Sequence, residues 1–379
     1  MRQRLFTPGP TPVPDEVALA MAAPQPHHRT PEFQDLMRRT TGLLQQIFRT
    51  EDPVVILSSS GTGAMEAAVV NLTRPGERVF SANSGKFGER WGQILRTYGR
   101  DLHELDVPWG EPITPEQFHD GVRRSGARAA FVTHSETSTG ALCDLPQITD
   151  AARDLDVLLV VDAITSLGAH RLETQRWGVD CVVGGSQKAF MMPPGLAFLS
   201  LSAKARRCIA GNPTPRYYFD LSRALEGVPK GQSPWTPAIS LVMGLERACR
   251  MILDEGLEAV WHRHQVLADA VRVGVAALGL QTVASRPSNA LTAVYVPEAV
   301  GADAVRQTLW ERFGMKLAGG QERLAGCIIR LGHLGAFDVA DIMLQLSAFE
   351  DALRTHGHVV PAGAAVEAAR PILAQLDAS

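Results

Sequence analysis

One pattern constrains this chain's fold above all others: through its first half, short apolar runs alternate with amphipathic stretches. Val54-Val55-Ile56-Leu57 reads as a strand and Gly63 to Leu72 as a helix. Arg78 to Ala82 is again strand-like and Glu89 to Tyr98 helical. Ala129 to Thr133 reads as a strand, Ile148 to Leu155 as a helix and Val157 to Val161 as a strand. Val- and Ile-rich runs separated by amphipathic helices predict an α/β fold around a mainly parallel sheet with crossover helices. In such sheets ligands sit beyond the carboxyl ends of the strands. Between Cys181 and Leu201 two strand-like runs follow each other with no helix, which predicts a hairpin or an antiparallel edge there.

The chain has 379 residues, 45% of them hydrophobic. That is ample for a large core and too long for one ordinary domain. The opening Thr7-Pro8-Gly9-Pro10-Thr11-Pro12-Val13-Pro14 cannot be helical, because its prolines lack N–H groups and bias their neighbours to extended shapes. Residues 1–15 therefore read as an extended arm and 16–255 as a large domain. From about Gly256 the pattern restarts, so 256–379 reads as a smaller C-terminal α+β domain whose alanine-rich last twenty residues look helical.

Charge excludes several functions. A net charge of -3 carries no electrostatic footprint for nucleic acid or membrane. No apolar run approaches the roughly 20 residues of a membrane span, and the N-terminus lacks the apolar stretch of a signal peptide. Five cysteines scattered singly fit a reducing, cytoplasmic location. His262 and His264, two apart on a helix, point to different faces and make poor metal partners; no metal site is expected.

Three stretches carry chemistry. "SSSGTGAMEAA" (58–68) lies at a strand-to-helix turn, where glycines and the helix dipole favour an anion. It lacks the third glycine of a dinucleotide fingerprint and the Gly-Lys-Ser/Thr of a nucleotide-triphosphate loop. A small phosphate remains, with a serine-capped glycine turn as the plain alternative. "LLVVDAITSLG" (158–168) puts Asp162 directly after an apolar strand, as a counter-ion to a buried cation or as a turn cap. "GGSQKAFMMPPG" (184–195) sets Lys188 at the end of another strand. Taken alone it is a solvated loop lysine; buried, its amine would be held neutral and nucleophilic. Phosphate turn, strand-end aspartate and strand-end lysine together match the needs of pyridoxal phosphate: an anchor, a partner for the pyridinium nitrogen and a Schiff-base amine.

With these residues in place the chain resembles the class V, fold-type I pyridoxal-phosphate aminotransferases, most closely the alanine–glyoxylate and serine–glyoxylate (serine–pyruvate) enzymes. The matching motifs are "TPGPTPVP", "HRTPEF", "SSGTGAMEA", "THSETSTGAL", "VVDAITSLG", "GGSQKAFMMPPG", "TPAISL" and "IRLGHLG". The resemblance implies a seven-stranded-type sheet in the large domain and pyridoxal 5'-phosphate as cofactor, with Lys188 joined to it and later moving the substrate proton. It implies Asp162 on the pyridine nitrogen and Phe87 stacked on the ring, where several relatives have Trp. Ile164 would pack on the other face and Thr137 bond the phenolic oxygen. Ser60, Gly61, Thr62 and Gln187 would hold the phosphate. Thr236 would reach it from a neighbouring subunit, with Ser233 where the glyoxylate enzymes often carry Tyr, so the working unit would be a homodimer. Arg330 would fix the substrate carboxylate through its planar fork, and Gly9 would lie near the substrate. His27, His28 and Arg29 line the entrance or are satisfied loop residues.

The expected reaction is transamination from alanine or serine to glyoxylate or pyruvate. Aspartate or 2-aminoethylphosphonate as substrate, and a cysteine desulfurase or lyase on the same fold, are the alternatives. A desulfurase needs a reactive cysteine on a mobile loop; Cys327, opening an apolar strand, reads rather as a small core residue. A catalytically silent subunit is disfavoured by the intact Lys188, Asp162 and Arg330.

Overall fold

The structure, a computed structural model, describes residues 3–376; the alanine-rich tail reading extends to 377–379, outside the described residues. Its centre is a seven-stranded sheet of β1 (Val54–Leu57), β2 (Arg78–Asn83), β3 (Asp101–Asp106), β4 (Ala129–Thr133), β5 (Leu158–Asp162), β6 (Cys181–Gly185) and β7 (Ala197–Leu201), ordered β1-β7-β6-β5-β4-β2-β3. Only β7 runs antiparallel to its neighbours. The predicted hairpin is therefore present, β6 pairing antiparallel with β7, while β7 is not an edge, because β1 pairs with its outer side.

Side-chain alternation along the strands divides the core in two. Val54, Ala130, Val132, Leu159, Val161 and Val182 face one apolar layer, where α1 (Pro31–Phe48) contributes Phe33, Leu44 and Phe48. Val55, Ala129, Phe131, Val160 and Val183 face the other, built from α2 (Gly61–Leu72) and α3 (Lys86–Thr97). Period-two alternation buried on both faces is what a sheet covered by helices on each side requires.

Two helix boundaries and one strand that the pattern did not show differ from expectation, each for a physical reason. The helix expected from Glu89 begins at Lys86, because the Glu136 carboxylate accepts from the N–H groups of Phe87 and Gly88 and caps it from across the fold. The helix expected over 148–155 spans Leu145–Ala151, started by an Asp144 cap and a proline in its first turn. Strand β3 reads DLHELD and has no apolar run to betray it; it forms the half-exposed edge beside β2.

Beyond α4 (Ile239–Glu255), Gly256 at φ +89° breaks the helix and α5 (Leu257–Ala277) starts. A second, antiparallel sheet follows, ordered β8 (Leu291–Tyr295), β10 (Ile328–Gly332), β9 (Ala318–Gly319), and α6 (Val339–Thr355) packs in its core cluster. The N-terminal arm crosses to this side, where Arg4–Leu5 pairs in parallel with Met315–Lys316. The tail reading holds over Ala364–Leu373, which is helical.

Phe131, fully buried on β4, packs 5.0 Å (centroid to centroid) from Trp91 of α3 and pins that helix to the sheet. Phe131→Ala is expected to cost about 3–5 kcal/mol in urea unfolding. A loss below about 1 kcal/mol would show that α3 is held elsewhere.

Candidate active site

The carboxyl ends of the parallel strands converge on one cleft of about 280 Å³. Ser60, Gly61 and Thr62 start α2 just after β1; Phe87 and Arg90 come from the first turns of α3. Asp162 is the last residue of β5, with Ile164 and Thr165 after it, and Gln187 and Lys188 form the turn after β6. Gly9 and Pro10 of the arm close the cleft from above. A Cβ at Gly61 would lie 2.5 Å from Ile164 Cδ1, so a side chain there would displace Ile164 from the cleft wall.

Lys188 is only 7% exposed. Its Nζ donates to the carbonyl of Pro8 at 2.6 Å. Thr11 straps the arm to the same turn, its N–H donating to Gln187 O and its hydroxyl to Lys188 O. Gly9 lies so close that a Cβ would sit 2.6 Å from Lys188 Nζ, and its φ of +136° favours glycine independently. Burial lowers the Lys188 pKa to about 7, and Arg330 pushes the same way; Asp162 and Glu136 pull it back up. Asp162 is buried too, with Oδ1 accepting from the Ile164 N–H at 2.9 Å. Burial raises its carboxyl to about 7, against the pull of that hydrogen bond and of Lys188. The methionines after Lys188 are core packing, with Met191 at φ +55° closing the turn back onto Lys188 O.

Arg330, on β10, is not among the residues that line this cleft. Its Nη1 donates to Thr137 O at 3.0 Å and its Nε to Gly319 O at 2.9 Å. Burial brings its pKa down to about 10, with Glu136 opposing. Thr137 shares a 2.6 Å hydroxyl–hydroxyl bond with Thr165, which does line the cleft. Gly9, Ser60, Gly61, Thr62, Phe87, Asp162, Ile164, Gln187 and Lys188 are thus brought together. Ser233 and Thr236 are not: Ser233 Oγ donates to Trp235 O, and Thr236 is exposed.

Four participants escaped the sequence reading. Glu136, 1% exposed, accepts from the N–H groups of Phe87, Gly88 and Ser138 and from Ser138 Oγ. Arg90, Thr165 and the Pro8 carbonyl are the others. A glutamate inside "THSETSTG", just past a buried strand, was the available signal for the first. Cys327 is a correction: it is exposed on the loop before β10, not a core residue, because the apolar strand begins one position later. His264 is buried and bonded through both ring nitrogens, to Val260 O and from the Gly335 N–H. Among the described residues no group of three or more His, Cys, Asp or Glu is placed to hold a metal ion. No helix among them is long and apolar enough to cross a membrane.

A helix start for an anion, a buried lysine at a strand end and an opposing buried carboxylate, all on a seven-stranded α/β sheet, define a pyridoxal-phosphate enzyme of fold type I. Comparison with known proteins agrees. The model of the "Aminotransferase class-V" family matches residues 5–328, ending two positions before Arg330. A "Soluble hydrogenase, small subunit" of Synechococcus sp. (strain PCC 6716) is 42% identical, covering 97% of this chain and 98% of that protein. An "L-aspartate--glyoxylate aminotransferase" of Paracoccus denitrificans (strain Pd 1222) is 34% identical over 97% of this chain and 95% of its own length. The crystal structure of an alanine–glyoxylate aminotransferase from Nostoc sp. superposes with a TM-score of 0.90 at 30% identity, covering 93% of this chain and 96% of that one. The chain belongs to the class V aminotransferase family, whose cofactor is pyridoxal phosphate.

The residues present fit that group. Gln187, whose side-chain NH2 can donate to a phosphate oxygen, lines the cleft, and the glycine-rich start of α2 leaves room for an anion at its N–H groups.

Because the Lys188 amine reacts only when neutral, cofactor-free protein is expected to take up pyridoxal faster as pH rises, with a midpoint near 7. Asp162→Asn removes a carboxylate that raises this pKa, so the midpoint should move down. Stopped-flow absorbance from pH 5.5 to 10 measures both; a midpoint near that of a free lysine, about 10.4, would contradict the burial argument.

Proposed function

We propose that this chain transfers the amino group of a small amino acid, alanine or serine, to glyoxylate or pyruvate. The observation that carries the reading is the Lys188 amine, buried beneath the Pro8–Gly9 backbone and facing the same cleft as Asp162. Bound there, pyridoxal phosphate supplies an aldehyde that accepts the amino group and a ring that withdraws electrons from the substrate α-carbon.

The chain's own residues do the rest. Ser60, Gly61, Thr62 and Gln187 hold the phosphate, while Phe87 and Ile164 clamp the ring. Asp162 holds a proton at the pyridine nitrogen, its burial keeping the proton shared rather than lost to water. Thr137, through Thr165, orders the hydroxyls on the phenolic side. Lys188, with a pKa near neutrality, would take the proton from the substrate α-carbon and deliver it to the cofactor carbon that carried the aldehyde, and would run the transfer in reverse for the acceptor. Arg330 binds the substrate carboxylate.

Two features favour small substrates. The cleft is modest for cofactor and substrate together, about 280 Å³. The Pro8–Gly9 backbone lies directly over Lys188 and limits the space above its amine. Glyoxylate is named as acceptor for two similar proteins whose donors differ, aspartate in one and alanine in the other.

The active unit in this reading is a cytoplasmic homodimer, in which Ser233 and Thr236 of each subunit complete the phosphate site of the other. Their absence from the lining of their own chain's cleft and the exposure of Thr236 support it. The division into an arm (1–15), a large domain (16–255) and a small domain (256–379) belongs to the same proposal. A desulfurase would need a cysteine in the cleft, and Cys327, though exposed, is not among the residues that line it.

A half-reaction panel tests the assignment. Loaded protein is mixed separately with alanine, serine, aspartate and 2-aminoethylphosphonate, and loss of its visible absorbance is followed. Alanine or serine should convert fastest; conversion by aspartate alone would overturn the donor class. Arg330→Ala should raise KM for both amino and oxo acid by about 100-fold, with a smaller change in kcat. Unchanged KM for both would refute carboxylate recognition by Arg330.

A further inference from the structure

Arg90 lines the cleft, and among the described residues its guanidinium pairs with no carboxylate. It makes two contacts instead. Nη1 donates to Thr62 Oγ1 at 3.1 Å, and Cζ lies 4.7 Å from the centroid of the Phe87 ring. Both follow from α3, where Phe87 and Arg90 are three residues apart and share a face. The helix is fixed at its start by the Glu136 carboxylate and along its length by Trp91 against Phe131.

The hydrogen-bond polarity is informative. Thr62 Oγ1 accepts from Arg90, so its own O–H is left to donate elsewhere, and Thr62 stands in the first turn of α2, where backbone N–H groups lack intrahelical partners. A hydroxyl donor, a helix start and a guanidinium then meet at one end of the cleft. The other lysine or arginine lining the cleft is Lys188, whose amine must be neutral to react, and Asp162 brings further negative charge. A phosphate there needs a fixed cation, and Arg90 is positioned to be it. Its contact with Phe87 also holds that ring.

We propose that Arg90 is a further cofactor-binding residue: its guanidinium supplies the fixed positive charge for the cofactor phosphate and sets the Thr62 hydroxyl and the Phe87 ring that flank it. The proposal rests on the reading that pyridoxal phosphate occupies this cleft.

The test compares two ligands that differ only in the phosphate. Cofactor-stripped wild type, R90Q and R90K, each checked by circular dichroism and thermal melting, are titrated with pyridoxal phosphate and with pyridoxal. Tryptophan fluorescence quenching reads the Kd without any turnover. R90Q should weaken pyridoxal phosphate by roughly 10- to 100-fold and pyridoxal by less than about threefold, while R90K, keeping charge without the planar fork, should fall between. If R90Q does not fold, R90K reads the same difference between the two ligands. Equal losses for both ligands, or no loss for the phosphate form, would overturn the proposal. A wild type that binds neither ligand would instead overturn the functional reading on which it rests.

Discussion

Keeping the Lys188 amine out of water is the constraint that the surrounding structure answers. A buried ammonium without a partner is costly, and the chain meets that cost by holding the group near neutrality and giving it one acceptor, the Pro8 carbonyl. The acceptor comes from the proline-rich arm, 180 residues away in sequence. Thr11 and Gly9 serve the same contact, one by tying the arm to the lysine turn and the other by having no side chain to obstruct it.

The sheet turns this local problem into a site. Because β5, β6 and β1 point the same way, Asp162, Lys188 and the glycine-rich start of α2 arrive at a common edge from distant parts of the sequence. Strand β7 makes this possible by running back between β1 and β6 without a helix. Glu136 then joins two halves of the site: it caps α3, which carries Phe87 and Arg90, and its charge opposes the loss of protonation at buried Arg330. A carboxylate in that position is structural in its hydrogen bonds and electrostatic in its reach.

Much of this was legible in the sequence wherever apolar pattern or motif carried the information. The alternating runs give the parallel sheet, and the lysine, aspartate and glycine turn fall where strand ends require them. The rest depends on contacts between distant segments. The early start of α3 comes from a carboxylate nearly fifty residues away. Strand β3 escapes because a half-exposed edge has no continuous apolar run. Cys327 was misplaced by one residue of strand boundary, enough to exchange core for surface. Arg90 was invisible because an arginine on a helix face gains meaning only once Thr62 is beside it.

The central claim is that Lys188, and no other lysine, joins the cofactor. Protein incubated with pyridoxal phosphate, reduced with borohydride and digested should carry the pyridoxyl mass on the peptide containing Lys188 alone. A label distributed over surface lysines such as Lys204 or Lys316, or no label after reduction, would contradict the account.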